Sequence, residues 1–162
     1  MTSGSVPPAP AHDSSAGPAP VPRVRVAAYV IRRRATPELL VFDHAGAPEA
    51  GTQVPAGGVR PGEGFVEAVL REVAEETGLT DAAVVRRIAL DDSPHPTTGR
   101  PRRTTFFHLE AGHGTPDAWT HTVRGEGDDS GLEFACRFVP LPLAGPLADG
   151  QDIWISRMDL RS

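Results

Sequence analysis

Glu72, Glu75 and Glu76 are the residues whose types and spacing could do chemistry. On a helix of roughly 100° per residue, Glu76 lies about 40° to one side of Glu72, and Glu75 about 60° to the other. Three carboxylates then share one narrow arc. Carboxylates held this closely repel one another unless something positive joins them. A hard divalent cation does so: Mg²⁺ takes oxygen ligands and commonly binds through one or two carboxylates plus waters and substrate phosphates. Arg71, four residues before Glu75, can pair with it along the helix. Gly57, Gly58, Gly62 and Gly64 precede these residues and let the chain approach a ligand closely. The same acidic spacing also suits the solvated face of a surface helix, so spacing alone leaves both readings open.

The surrounding residues narrow the choice. Residues 57–79 read GGVRPGEGFVEAVLREVAEETGL, with Gly57 followed after five residues by Glu63 and, after seven more, by Arg71-Glu72-Val73-Ala74-Glu75-Glu76-Thr77-Gly78-Leu79. This resembles the Nudix box, G-x5-E-x7-R-E-U-x-E-E-x-G-U with U aliphatic, at every defined position. The resemblance implies an α/β fold of the Nudix type, an α/β/α sandwich around a mixed β-sheet, with the box as a loop–helix–loop. It also implies a pyrophosphohydrolase in which water attacks a phosphorus of a diphosphate linkage. Carried over position by position, Glu72, Glu75 and Glu76 would ligate Mg²⁺ or Mn²⁺, with the carbonyl of Gly57. Arg71 would orient the glutamates, Glu63 would brace the loop, and Glu72 or Glu75 would accept the proton. Metal charge on the phosphate oxygens and an activated water suit this reaction.

Outside the box, many family members take a further acidic ligand or base from a later loop. Glu126, Asp128 and Asp129 are candidates, as is Glu110 at a strand end. Arg100, Arg102 and Arg103 form a basic patch able to hold substrate phosphates, with Arg25 and Arg60 as the alternatives. Trp119 is a candidate for stacking on a base. The resemblance leaves the substrate open among nucleoside di- or triphosphates and nucleotide sugars, ADP-ribose included. A nucleotide-binding regulator without turnover is the contrasting class, and the intact Arg71, Glu72, Glu75 and Glu76 argue against it. An RNA-cap or dinucleoside polyphosphate hydrolase is a third alternative.

These side chains need a scaffold. The acidic and apolar periodicity predicts a helix over Glu63–Thr77, ended by Gly78. Phe65, Val69 and Val73 form its apolar arc. Arg23–Arg32 and Glu38–His44 read as a strand hairpin, with further strands at Val84–Leu90, Thr104–Glu110 and Glu133–Leu141. Asp91–Arg103 reads as a loop, and Ala111–Gly131 as a long Gly-rich, acidic connection of the kind that is often functional. Gln151–Leu160 is apolar enough to pack, in either state. Residues 1–22, rich in Pro, Ala and Ser, lack core-forming side chains and read as a disordered tail before one domain at 23–162.

Composition bounds the function further. The net charge of −5 argues against a broad nucleic-acid surface. Sixteen basic residues are all Arg, so any cationic grip on a phosphate falls to guanidinium groups. A lone cysteine, Cys136, excludes an intramolecular disulfide and suits a reducing cytosol; in Phe134-Ala-Cys-Arg-Phe138 it reads as a buried thiol. No apolar run is long enough for a membrane span, and the first residues do not read as a signal peptide. The partner is thus a small nucleotide-like molecule in the cytoplasm, with a homodimer left open.

Overall fold

The computed structural model describes Gly4 and residues 20–161. The Pro-rich tail expected at 1–22 therefore lies outside the described residues apart from Gly4 and 20–22. In chain order the elements are β1 (Arg23–Arg33), β2 (Pro37–His44), β3 (Ala56–Gly58), α1 (Phe65–Thr77), β4 (Ala83–Asp91), β5 (Arg102–Glu110), β6 (Ala118–Thr122) and β7 (Glu133–Pro140). They build one mixed sheet in the order β4-β5-β1-β2-β7-β6, with β3 added beside β1. The β1–β5 pair is parallel and the other pairs are antiparallel.

The central strand β1 is shared. Its C-terminal end, Ile31–Arg33, pairs with Leu39–Pro37 of β2. Its N-terminal end, Arg25–Ala27, pairs instead with Gly58–Ala56 of β3. Beyond Ile31 the hairpin strands part, and the Gly57–Gly58 strand enters the gap.

Strand alternation sorts the apolar side chains of β1 onto two faces. Val26, Ala28 and Val30 pack with Val69 and Val73 of α1 and with Phe107, Phe134 and Cys136. Ala27, Tyr29 and Ile31 face the other way, against Phe106, Leu147 and Met158, with Trp154 and Ile155 packed on top. Cys136 is buried, as its alternating context predicts. The second outer layer consists of short 3-10 turns, Ala148–Gly150 and Ile155–Arg157. Hydrogen bonds fasten this layer, among them the Val54 N–H to Gln151 Oε1 at 2.8 Å. The Tyr29 hydroxyl donates to the Gln151 carbonyl, and the Trp154 indole donates to Asp91 Oδ2 at 2.8 Å. Among the described residues no helix is long and apolar enough to cross a membrane.

Three sequence expectations shift. The helix starts at Phe65 rather than Glu63, because Gly64 is extended (φ −73°, ψ 155°) and its carbonyl opens the ladder. Gly78 ends it as expected, at φ 80°. The strand β5 begins at Arg102, so the end of the supposed loop Asp91–Arg103 pairs with Arg23 and Val24 of β1. The connection Ala111–Gly131 contains β6, antiparallel to β7.

Phe134 is fully buried and stacks on Phe42, with ring centroids 4.2 Å apart and 7° between planes. Phe134→Ala leaves a cavity between α1 and the sheet, expected to cost about 3–5 kcal/mol. Urea denaturation checks it, and an unchanged midpoint would refute this account of the packing.

Candidate active site

The box folds as a strap and a buckle. The strap is β3 with the turn after it, and the buckle is Arg71 on α1. Arg71 Nη2 donates to the Gly58 carbonyl at 2.8 Å and to Glu63 Oε1 at 2.9 Å, and Nε donates to Glu63 Oε2 at 2.7 Å. Nη1 reaches Glu72 Oε1 at 2.7 Å and Glu75 Oε2 at 3.2 Å. Glu63 also accepts the Arg60 backbone N–H at 3.0 Å, so it braces the turn. The bond from Arg71 is the largest cause that holds Glu63 down to about 2, against a smaller opposing effect of burial. Glu63 in turn raises the pKa of Arg71 above its ordinary value.

The carboxylates lie where the strap meets the helix. A Cβ on Gly57 would stand 2.2 Å from the Glu72 carboxyl carbon, so only glycine permits this approach. Gly125, at φ 101°, makes a similar approach to Glu75, where a Cβ would be 2.6 Å away. Glu76 is 6% exposed and accepts the Ala56 N–H at 3.1 Å. Burial first, then the charge and hydrogen bond of Glu72, push its pKa well above the ordinary value.

A cleft of about 560 Å³ opens over this floor. Glu72, Glu75 and Glu76 line it together with Gly57, and Glu126, Asp128 and Asp129 form part of its wall. The 124–130 loop is held there by the Arg124 N–H, which donates to the Glu75 carbonyl at 3.0 Å. Among the described residues no three His, Cys, Asp or Glu side chains already stand at metal-holding spacing. Arg71 instead bridges Glu72 and Glu75. The donor chemistry nonetheless fits a hard cation: Glu72 and Glu76 crowd each other in a corner where, among the described residues, the Ala56 peptide N–H is the neutralising contact of Glu76.

The proposed phosphate-binding patch divides. Arg102 and Arg103 alternate on β5 and point to opposite faces. Arg103 leaves the clefts and pairs with Asp92 at 2.7 Å, a surface ion pair that removes it from the substrate-binding candidates. Arg102 is engaged by Asp149 at 2.6 Å and, with Arg100, lines a neighbouring bowl rather than the box cleft. Trp119 is also reassigned. Its indole N–H donates to the Thr77 carbonyl at 2.7 Å and its ring packs against the core, so it closes the C-terminus of α1 instead of stacking on a base. Glu110 pairs with Arg33 at 3.0 Å, away from the cleft. Arg25 and Arg60, the alternatives, both line the box cleft. Arg23, read only as a strand residue, does so too. Its signal was a charge two residues before Arg25 on the same face of an apolar strand.

The NUDIX domain family model matches residues 21–158. The chain belongs to the NUDIX domain family. The structure of a MutT NUDIX hydrolase from Burkholderia pseudomallei is similar at TM-score 0.60 and 25% identity, over 86% of this chain and all of that one. The NUDIX domain of Shewanella oneidensis NrtR, complexed with ADP ribose, gives TM-score 0.63 at 14% identity, over 85% and 86% of the two chains. A UDP-X diphosphatase gives TM-score 0.60 at 19% identity over 89% of this chain, which spans 64% of that protein's length. No curated protein matches in sequence.

The Glu63–Arg71 pair predicts acid sensitivity. A carboxylate held near 2 in the folded state and near its ordinary value when unfolded contributes stability above about pH 4.5. That contribution is lost as pH falls toward 2. Glu63→Gln is expected to be less stable than wild type at pH 7, with the difference shrinking as pH falls through this window. Thermal melts from pH 7 to 3 check this, and a gap that stays constant would refute it.

Proposed function

We propose that this Nudix domain hydrolyses the diphosphate linkage of a nucleoside diphosphate derivative, with Mg²⁺ or Mn²⁺ bound at the box. The observation that carries the reading is the convergence of Glu72, Glu75 and Glu76 with Gly57 on one cleft floor. Glu72, Glu75, Glu76 and the Gly57 carbonyl would hold the metal, with Glu126 as a further ligand from the facing loop. Bound there, the metal supplies charge neutralisation on the phosphate oxygens and a more acidic water.

The protein's own groups do the rest. Arg71 fixes the carboxylates of Glu72 and Glu75 from behind, and either of them, when released by Arg71, can accept the proton of an attacking water. Arg60 reaches Glu75 Oε1 at 3.3 Å and faces the cleft, where it can turn to a phosphate oxygen. Fixed donors of this kind hold the diphosphate in line for attack. The ligands named with the structural neighbours, a UDP derivative and ADP ribose, support a diphosphate-linked nucleotide as the substrate class. A regulator without turnover fits less well, because the full acidic set is present and meets in one cleft.

Stripping divalent metal is expected to abolish turnover, and Mg²⁺ or Mn²⁺ to restore it. Glu72→Gln, Glu75→Gln and Glu76→Gln should each lower kcat by about 10²-fold or more, the scale on which one charge-stabilising group acts. Mg²⁺ should raise the melting temperature of the wild type more than that of each variant. Assay of metal-stripped protein on nucleoside triphosphates and nucleotide sugars decides the matter. Full turnover without metal, or three variants at the wild-type rate, would overturn the proposal.

A further inference from the structure

Beside the box cleft lies a larger bowl of about 1030 Å³. Arg23, Arg25, Arg100 and Arg102 line it, and Asp149 is its one lining acid. Asp149 is taken by Arg102 at 2.6 Å. Arg23, Arg25 and Arg100 have no ion pair among the described residues. Three guanidinium groups without a direct ion pair among the described residues thus border one bowl in a chain whose net charge is −5.

Arg25 is the informative member. Its Nε is shut off from solvent and has no hydrogen-bond partner. Burial, and the like charges of Arg102 and Arg23, all disfavour its cationic form. An unpaired buried donor costs free energy, and so does a cluster of like charges. Among the described residues no hydrogen bond reaches the Arg25 side chain, and only the charges of Asp149 and Glu76 favour its cationic form. An anion in the bowl would offset that cost, since guanidinium groups bind phosphate oxygens with charge-assisted, two-pronged bonds.

The position of the bowl says which anion. Arg23 lies over Gly58, where a Cβ would be 3.3 Å from its Nη2, and Gly58 adjoins the Gly57 that touches Glu72. Arg23 and Arg25 line both the box cleft and the bowl. The box cleft already has Arg60 and Arg124 for the scissile diphosphate. A group reaching the bowl is therefore the next one along the substrate.

The geometry points to a subsite, formed by Arg23, Arg25 and Arg100, for a phosphoryl group beyond the scissile diphosphate. The favoured substrates then carry at least three phosphoryl groups, the third placed either in the chain or on the distal half of the molecule. This rests on the proposed hydrolysis for its substrate class, and its binding arm is independent of turnover.

Calorimetry in buffer freed of metal on a chelating resin compares tripolyphosphate binding to the wild type, Arg25→Met and Arg100→Gln. Met keeps the apolar stem of Arg25, and Arg100 sits in an exposed loop, so at least the second variant reads out if the first is unstable. Tripolyphosphate is expected to bind at least about tenfold more weakly to each folded variant, from the strength of charged hydrogen bonds. Kinetics with metal restored then compares two substrate pairs: a nucleoside triphosphate against the matching diphosphate hexose, and a dinucleotide with a 2′-phosphate against one without. In Arg25→Met, or in Arg100→Gln if that variant alone folds, one of the two kcat/KM ratios should fall at least about tenfold. A fall in the first places the third phosphoryl in the chain, and a fall in the second places it on the distal sugar. Equal tripolyphosphate affinity in wild type and variants, or both ratios unchanged, overturns the subsite. A wild type that turns over no substrate with either metal overturns the hydrolase proposal instead, while the calorimetry still decides the subsite.

Discussion

Arg71 places one positive charge among Glu63, Glu72 and Glu75, and spends its remaining donor on the Gly58 carbonyl. All four side chains are 13–20% exposed, so water neither fully screens them nor is fully excluded. Breaking such an arrangement from one side costs more than forming it gains, because an unmatched charge is left behind. The strand β3 has only three residues, and its ladder with β1 is correspondingly short. Arg71 supplies the tie that fixes this short strap to the helix. The position of Gly57, and through it the approach of the strap to Glu72, follows from that tie.

The tie works because the sheet leaves a gap for it. A hairpin zipped along its whole length would have paired β1 with β2 at Arg25–Ala27 and closed the site of β3. Instead the pairing stops at Ile31 and β3 takes the vacated edge. Backbone hydrogen bonding of β1 is thereby completed by a glycine pair, and glycines leave room on both sides of the strap. Glu72 uses the room on one side and Arg23 on the other. The carboxylate floor and the arginine bowl are thus two consequences of one strand substitution.

The helix and its acidic arc were legible in the sequence, because a 3.6-residue period and a terminal glycine are local signals. The apolar faces of β1 and β7 were legible for the same reason: Val26, Ala28 and Val30, or Phe134, Cys136 and Phe138, alternate strictly. What escaped was set by tertiary pairing. Arg102 and Arg103 sit among Pro, Gly and Arg and read as loop, yet β1 supplies the ladder that makes them strand. Ala118–Thr122 alternates Trp119 and His121 inward, but five residues inside a Gly-rich stretch carry too little pattern to stand out. Trp119 looked available to a ligand because nothing local showed that the Thr77 carbonyl, at the C-terminal end of α1, would take its N–H. The C-terminal layer has no period at all, and its place is fixed by Tyr29, Trp154 and Met158 rather than by secondary structure.

The absence of lysine takes on a physical meaning at Arg25. Burial and two neighbouring arginines push that side chain toward its neutral form. A guanidinium is the most basic of the side chains and stays charged through such a shift. An ammonium starts about two units lower, and buried lysines fall by several units, far enough to lose the proton near neutral pH. A lysine at position 25 would relax the repulsion by becoming neutral, and the bowl would lose the charge that distinguishes it from the acidic floor beside it. A cation that cannot discharge keeps positive charge along the bowl side of the Gly57–Gly58 strap, beside the carboxylates of the box cleft. Holding like charges together on each side of the strap costs the fold stability, and the proposed phosphorylated ligand and metal would lower that cost on both sides at once.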